Sequence, residues 1–211
     1  MHPANGMNLG RLLAQTARLH PDHPGLIHGE RSWRWRDIDL RVQAMMAALR
    51  ARGVSPGDKI LVHSRNNLQM FESCWVAFRL GCVWVPTNFR LTPPEAAYLA
   101  DSSHASWMIY EAGFEAHADA VRAQAHALRN VVCIGEGRAG EMSYEALVKT
   151  HLGAAAEDAV VGPDDALWYF YTSGTTGKPK AGTLTHGQMN FVVVNHLADL
   201  VPGITHEDCA I

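Results

Sequence analysis

The chain has 211 residues, of which 47% are hydrophobic and 18% are charged, and its formal net charge is -3 at pH 7. This composition predicts a globular protein with a sizeable core and excludes a disordered chain or a coiled coil. The scattered basic residues form no positive face, so we do not expect nucleic acid as a partner. No apolar run reaches the roughly 20 residues that a bilayer requires, and we expect a cytoplasmic protein.

Cysteines and histidines are the residues most often found at metal sites. The four cysteines, Cys74, Cys82, Cys133 and Cys209, contain no CxxC pair, which is typical of reduced thiols in a cytosolic protein. Three of the histidines, His20, His23 and His28, lie close together in LHPDHPGLIH. Because proline follows the first two, no regular helix can form there. We therefore predict a solvated loop at these histidines and no metal site.

The first part of the chain predicts two helices with two strands between them. Apolar residues at helical spacing predict a helix from Asn8 to Leu19, which His20-Pro21 ends. GLIHGERSWRWRD then predicts two short strands around a turn at Gly29. A second amphipathic helix follows, with Gly53 as its predicted C-terminal cap.

The middle of the chain alternates strands and helices. KILVHS predicts a strand, after which we expect Asn66 to cap a helix that Gly81 ends. CVWVP predicts another strand, and TPPE predicts a helix start because Thr92 can cap it while Glu95 completes a capping box. The alternation continues with a strand at SWMIY, a helix over about 113–128 and a strand at NVVCIG.

This alternation predicts an α/β fold with a mostly parallel sheet that helices cover on both faces. We divide the chain into an N-terminal α/β subdomain (1–150), a connection (151–165) and the start of a second subdomain (166–211). The connection, HLGAAAEDAVVGPDD, is expected to lie on the surface. The second subdomain opens with ALWYFYT, which predicts a buried strand.

A loop rich in glycine and hydroxyl groups, TSGTTGKPKAGT, follows that strand. Glycines allow backbone N–H groups to converge on an anion, and a helix that follows would add its positive dipole end. We predict that this helix begins near His186, with Thr185 and Gln188 as a capping box. A flexible linker is the alternative, although two lysines beside hydroxyls favour phosphate. The loop is not a Walker A motif, because Thr183 stands where that motif needs lysine.

The segment YTSGTTGKPKAGTLTH resembles the phosphate-binding signature of the AMP-forming acyl-CoA synthetases. Upstream segments agree with that family in order and spacing, so the resemblance covers roughly the whole chain. It implies the large N-terminal domain of an acyl-CoA synthetase-like fold. Within the signature, Ala181 stands where the family usually has glycine, and Gly182 where it usually has an apolar residue. If the usual glycine has a positive φ, Ala181 would cost about 1 kcal/mol there.

The resemblance also implies which residues hold ATP. The residues expected around the β- and γ-phosphates are Thr172, Ser173, Gly174, Thr175, Thr176 and Gly177. Lys180 would supply a positive charge, whereas Lys178 occupies a variable position and is expected to be solvated. His186 is expected to be a packing residue rather than a phosphate contact.

The reaction that the resemblance implies joins a carboxylic acid to the α-phosphate of ATP, with Mg²⁺, and transfers the acyl group to coenzyme A. We expect a fatty or aromatic acid. Family members are much longer, and their catalytic residues would lie beyond Ile211, so this chain is expected to be an N-terminal fragment that is inactive alone. An uncovered sheet would favour a homodimer. The alternatives are a non-catalytic phosphate-binding or interaction module, and an adenylation domain of a peptide synthetase or a luciferase-like enzyme.

Overall fold

The computed structural model of the chain describes residues 7–172 and 178–209. Its helices are α1 (Arg11–Leu19), α2 (Trp35–Arg50), α3 (Leu68–Leu80), α4 (Pro93–Ser102), α5 (Glu115–Gln124), α6 (Tyr144–His151) and α7 (His186–Asn195), with a π-helical turn at His196–Leu200. Its strands are β1 (Pro24–His28), β2 (Arg31–Arg34), β3 (Lys59–His63), β4 (Val83–Pro86), β5 (Trp107–Glu111), β6 (Asn130–Ile134), β7 (Met142–Ser143), β8 (Ala166–Thr172) and β9 (Lys180–Thr185). None of the described helices is long and apolar enough to cross a membrane.

Seven strands form one sheet in the order β7-β6-β5-β3-β4-β8-β9, and only β9 is antiparallel to its neighbour. The strands β1 and β2 form a separate antiparallel hairpin. Helices α1, α2, α3 and α6 pack on one face of the sheet, and α4 and α5 on the other. In β3, Ile60 faces the first helical layer and Leu61 the second, so the strand is apolar on both faces. The predicted α/β fold is confirmed.

Local signals in the sequence set the ends of several helices. Glu95 Oε2 accepts a hydrogen bond of 2.7 Å from Thr92 N–H, which completes the predicted capping box of α4. Gly81 ends α3 with a φ of 68°, as predicted. The predicted cap of α3 at Asn66 is wrong, because the neighbouring Asn67 accepts a hydrogen bond of 2.8 Å from the backbone N–H of Met70.

The helix predicted from Asn8 begins at Arg11 instead. Asn8 is buried, and its side chain bonds elsewhere: its Oδ1 accepts from Gly10 N–H at 3.0 Å and its Nδ2 donates to the carbonyl of Ala159 at 3.0 Å. The helix predicted over about 113–128 covers only Glu115–Gln124, since Ala125 already has extended backbone angles.

Two ion pairs that share Arg41 link three helices on one face of the sheet. Arg41 on α2 contacts Glu72 on α3 (Nε to Oε1, 2.5 Å) and Glu145 on α6 (Nη2 to Oε1, 2.7 Å). Glu72 is 0% exposed, and burial raises the pKa of its carboxyl group above the ordinary value although Arg41 opposes that shift. The helical layer is therefore held by polar as well as apolar contacts.

Part of the predicted surface connection is packed against the core. Ala159 and Val161 are buried, and Ala159 N–H donates to the carbonyl of Arg79 at 2.7 Å. Asp158 also accepts a hydrogen bond of 2.6 Å from Arg79 Nε. The predicted surface position is therefore wrong for this part, because two apolar residues and a charge partner bring it onto α3. The boundaries at 150 and 165 stay a prediction.

The sequence predicted a strand at ALWYFYT that is buried along its whole length. The prediction of burial is wrong for most of β8. Leu167 is buried, whereas Phe170 is 52% exposed. The register between β8 and β9 shifts between Ala166 and Trp168, which marks a bulge. Trp168, Tyr169 and Tyr171 are only partly buried against the two apolar clusters, so Leu167 is the one fully buried residue of this strand.

The beginning of α7 packs closely on the connection, which makes Gly187 sensitive to substitution. Gly187 N–H donates to the carbonyl of Pro163 at 2.8 Å, and a Cβ at Gly187 would lie 2.8 Å from that carbonyl oxygen. We expect Gly187→Ala to lower the free energy of unfolding by about 1–3 kcal/mol in urea denaturation, because overpacking outweighs the helix propensity that alanine adds.

Gly182→Ala is the matched control for that substitution. The nearest atom to a Cβ at Gly182 is the carbonyl oxygen of Phe170 at 3.6 Å, an ordinary contact. Its stability should stay within about 0.5 kcal/mol of the wild type. Equal stability of the two variants would show that the contact between Gly187 and Pro163 is looser than described.

Candidate functional site: a hairpin that carries the phosphate signature

The glycine- and hydroxyl-rich segment joins two antiparallel strands. Thr172, the last residue of β8, pairs with Lys180, the first residue of β9. The predicted order of strand, loop and helix is therefore wrong: a second strand follows the loop, since KAGTLT pairs along β8. The predicted phosphate contacts Ser173, Gly174, Thr175, Thr176 and Gly177 lie outside the described residues.

The two described members of the predicted cradle, Thr172 and Lys180, lie opposite each other at the loop end of the hairpin. Side chains of directly opposed residues in an antiparallel pair project from the same face of the sheet. Both residues are exposed. Within residues 7–172 and 178–209, no carboxylate forms an ion pair with Lys180 or Lys178. A hydroxyl and an ammonium group without an acidic partner thus suit a polyphosphate.

Helix α4 contacts the loop end of this hairpin. The hydroxyl of Tyr98 donates to the carbonyl of Pro179 at 3.5 Å, and the ring of Tyr98 lies 5.4 Å from Lys178 Nζ. The hydroxyl of Tyr171 on β8 also lies 2.9 Å from the hydroxyl of Ser102 on α4. Burial raises the pKa of Tyr171. These supporting residues could not be predicted from the sequence, because no local pattern connects α4 with the signature.

The N-terminus of α7 lies away from the loop. β9 runs antiparallel to β8, so the helix begins at the other end of the hairpin, where His186 N–H donates to the carbonyl of Asp165 at 3.1 Å. The predicted capping box is confirmed: Thr185 Oγ1 accepts from Gln188 N–H at 3.2 Å. The expectation that the helix dipole assists phosphate binding is wrong, because the direction of β9 carries the helix away.

His186 is a packing residue, as predicted. It is 0% exposed, and its Nδ1 accepts a hydrogen bond of 3.2 Å from the backbone N–H of Leu9. Burial lowers the pKa of His186 to about 4, although Asp165 acts in the opposite direction. The neutral imidazole therefore joins the start of α7 to the segment before α1.

The substitution of the usual signature glycine by Ala181 causes no backbone strain. Among the described residues, His104 is the only non-glycine residue with a positive φ. Ala181 pairs with Tyr171 as an ordinary strand residue, and Gly182 also has no positive φ. The strain expected at Ala181 is therefore absent.

Comparisons with known proteins show which proteins this chain resembles. A family model described as AMP-binding enzyme matches residues 13–209. A feruloyl-CoA synthase of an Amycolatopsis species is 33% identical over 194 residues, which cover 90% of this chain and 36% of that protein. An indoleacetate–CoA ligase of Aromatoleum aromaticum is 32% identical over 191 residues, which cover 90% of this chain and 37% of that protein. The chain thus spans little more than a third of the length of these relatives.

Solved structures show the same architecture. The anthranilate CoA ligase AuaEII, solved in complex with anthranoyl-AMP, aligns with a TM-score of 0.84 at 22% identity over 90% of this chain and 37% of that one. The structure of VinN with 3-methylaspartate aligns with a TM-score of 0.80 at 29% identity, and the alignment covers 94% of this chain and 52% of that one. The fold is that of the N-terminal domains of acyl-CoA ligases, and the chain belongs to the family of AMP-binding enzymes.

Proposed function

We propose that the chain is the N-terminal part of an ATP-dependent carboxylic acid:CoA ligase that forms AMP, and that residues 172–180 hold the phosphates of ATP. The pairing of Thr172 with Lys180 at the loop end of the hairpin is the observation that carries this proposal. It places an ammonium group without a described acidic partner beside the glycine-rich segment of the family signature.

The proposed reaction needs negative charge to be stabilised on the departing pyrophosphate while a carboxylate attacks the α-phosphate of ATP. Lys180 would supply a positive charge, Thr172 a hydroxyl donor, and the backbone of the signature further N–H donors. Bound Mg²⁺ would neutralise phosphate charge. We propose that the Mg²⁺ ligands lie elsewhere in the complete enzyme, as the resemblance to the acyl-CoA synthetases implies.

An aromatic or fatty acid is the proposed substrate, with coenzyme A as the acyl acceptor. The first relatives act, by their names, on ferulate and indoleacetate, and another is a long-chain-fatty-acid–CoA ligase of Mycobacterium tuberculosis that is 31% identical over 183 residues. Aromatic acids are favoured slightly because these two relatives are the more similar. We also propose a cytoplasmic location, which agrees with the thiols of Cys74, Cys82 and Cys133, none of which is in a disulfide bond.

The role of Lys180 predicts a loss of pyrophosphate affinity on substitution. Lys180→Ala should weaken pyrophosphate binding to this chain by about 1–3 kcal/mol, the range for one charge-assisted contact, as measured by isothermal titration calorimetry. Lys178→Ala is the matched control, since it removes an equal charge two residues away whose ammonium group lies over the ring of Tyr98. Equal losses in both variants would indicate unspecific charge attraction rather than a cradle.

We propose that the chain alone does not form acyl-adenylate, because groups that position the acid and the thiol would lie in the rest of the enzyme. Acid-dependent exchange of labelled pyrophosphate into ATP, measured with aromatic and fatty acids, should stay at the level of a protein-free control. Exchange with any acid would place the first half-reaction within these 211 residues.

A non-catalytic interaction module is the second candidate, and exposed apolar residues favour it. On α7, Phe191 is 70% exposed and Val194 is 65% exposed, and β9 is an edge strand of the sheet. A homodimer through this surface would appear as twice the monomer mass in light scattering. An adenylation domain or a luciferase-like enzyme would share the signature and differ in which acceptor takes the acyl group.

A further inference from the structure

Three imidazole rings from two distant parts of the chain come together beside the hairpin β1–β2. His20 and His23 lie between α1 and β1, and His206 lies beyond the π-helical turn. The ring centroids of His20 and His206 are 4.5 Å apart, those of His23 and His206 4.9 Å, and those of His20 and His23 5.5 Å. One nitrogen from each ring can be chosen so that all three lie within 4.8 Å of one another.

The backbone holds His20 and His23 in place. His20 N–H donates to the carbonyl of Thr16 at 2.8 Å at the end of α1, and His23 N–H donates to the carbonyl of His20 at 3.2 Å. The carbonyl of His23 accepts a further hydrogen bond of 3.1 Å from Trp35 N–H. A proline after each histidine restricts the backbone further. The backbone positions of the two histidines are therefore well restrained.

A tight turn holds the third histidine. Asp208 Oδ2 accepts hydrogen bonds from Thr205 N–H at 2.7 Å and from its hydroxyl at 3.1 Å, and these bonds enclose His206. His206 Nε2 lies 3.0 Å from Glu207 Oε1. A carboxylate on one ring nitrogen orients the imidazole and leaves the other nitrogen for a ligand, as is common around metal-bound histidines.

We propose that His20, His23 and His206 form a binding site for a divalent transition metal ion of the Zn²⁺ class. Three imidazole nitrogens are donors that suit Zn²⁺, Co²⁺, Ni²⁺ or Cu²⁺, whereas Mg²⁺ and Ca²⁺ prefer oxygen ligands. The site uses none of the residues of the phosphate signature. It is separate from the Mg²⁺ that would accompany ATP.

Metal binding requires a modest movement of the side chains. Bonds of about 2.0–2.1 Å in a tetrahedral site bring ligand nitrogens closer together than the described separations. The rings of His20 and His206 are only 12° from parallel, so one of them must turn before both lone pairs can point at one ion. The side chain of His206 is 47% exposed and has room to turn. Water would complete the coordination.

The bound ion would connect the segment after α7 to the end of α1. His206 belongs to a turn of exposed residues, whereas His20 and His23 are partly buried. A metal ion that binds all three would restrain the exposed turn and stabilise the folded state by its binding free energy. The metal-free cluster would instead hold the turn through ring contacts alone.

Titration of the untagged chain with Zn²⁺ and Co²⁺ tests the proposal, by calorimetry and by the visible absorption of bound Co²⁺. We expect one ion per chain, a higher thermal midpoint with Zn²⁺, and at least about 10-fold weaker binding in His206→Ala and His23→Asn. His28→Ala, which removes the third histidine of the local sequence cluster, should bind as the wild type does.

The variants distinguish a specific metal site from unspecific binding of metal ions by surface histidines. His206→Ala removes a half-exposed side chain from a surface turn, so it should keep the circular dichroism spectrum of the wild type. Undiminished binding in both cluster variants, or an equal loss in His28→Ala, would overturn the proposal. Failure of the wild type to bind either ion would overturn it as well, without affecting the proposed ligase function.

Discussion

Arg41→Met is expected to lower the free energy of unfolding by about 3–5 kcal/mol, because it leaves the carboxylate of Glu72 buried without its partner. Glu72 is 0% exposed, and Arg41 is the only cation with which it forms an ion pair among the described residues. The pKa of Glu72 is already raised by burial while Arg41 is present. Without that charge, the carboxylate must either stay ionised at high cost or take up a proton.

Urea unfolding of two further variants checks this explanation. Arg129→Met removes a surface arginine that is 51% exposed and binds both oxygens of Asp58 at 2.7 Å, and it should cost at most about 1 kcal/mol. The double variant Arg41→Met/Glu72→Met should recover most of the loss, since it removes the buried charge with its partner. If the double variant is no more stable than Arg41→Met, the loss comes from packing and not from charge.

The free energy of unfolding is also expected to fall as the pH drops from about 6.5 to about 4. Burial lowers the pKa of His63 to about 4, with a further contribution from His117, whose ring stacks on it at 4.4 Å. Burial lowers the pKa of His186 to a similar value. Both imidazoles bind protons more weakly in the folded chain than in the unfolded chain, whose histidines titrate near 6.5.

Proton linkage gives the direction in which the free energy of unfolding changes with pH. Between the two pKa values the unfolded chain binds more protons, so stability is full above about pH 6.5 and is lost as the pH falls. Each histidine can contribute about 3 kcal/mol, since one pKa unit corresponds to about 1.4 kcal/mol. His63→Asn with His186→Asn should remove this part of the pH dependence, because asparagine can keep the contacts to Thr87 and Leu9 without titrating.

The variant comparison separates the histidines from the carboxylates. Hydrogen bonds from Arg41 and Arg138 lower the pKa values of Glu145 and Asp119. These carboxylates contribute equally to the pH dependence of the wild type and of the double histidine variant. The difference in unfolding free energy between wild type and variant should therefore change across this window through the histidines alone. A constant difference from pH 6.5 to pH 4 would contradict the shifted pKa values.

Most of the α/β fold could be predicted from the sequence, because its signals are local. The apolar run of β3, the proline and capping box of α4 and the glycine that ends α3 depend on neighbouring residues only. The failures arise where tertiary contacts decide. Asn66 and Asn67 are the same residue type, and only the packing of α3 selects the second as its cap.

The candidate site was harder to predict for the same reason. KAGTLT has little strand character of its own, and it becomes β9 because β8 offers a free edge for pairing. The support from Tyr98 and the meeting of His206 with His23 join residues far apart in the chain, so no spacing rule could find them. The chemical type of the signature residues was evident, but their arrangement was not.

The most direct test of the central claim is to follow the backbone amide resonances of the ¹⁵N-labelled chain during titration with pyrophosphate. Binding by the signature predicts saturable shifts that are largest within residues 172–180 and that weaken in Lys180→Ala. The start of α7 lies at the opposite end of the hairpin, where the N–H groups of His186, Gly187 and Gln188 already donate hydrogen bonds within the chain, and it serves as an internal comparison. Shifts concentrated at residues 185–188, or no saturable shift at all, would contradict the claim that the hairpin holds the phosphates.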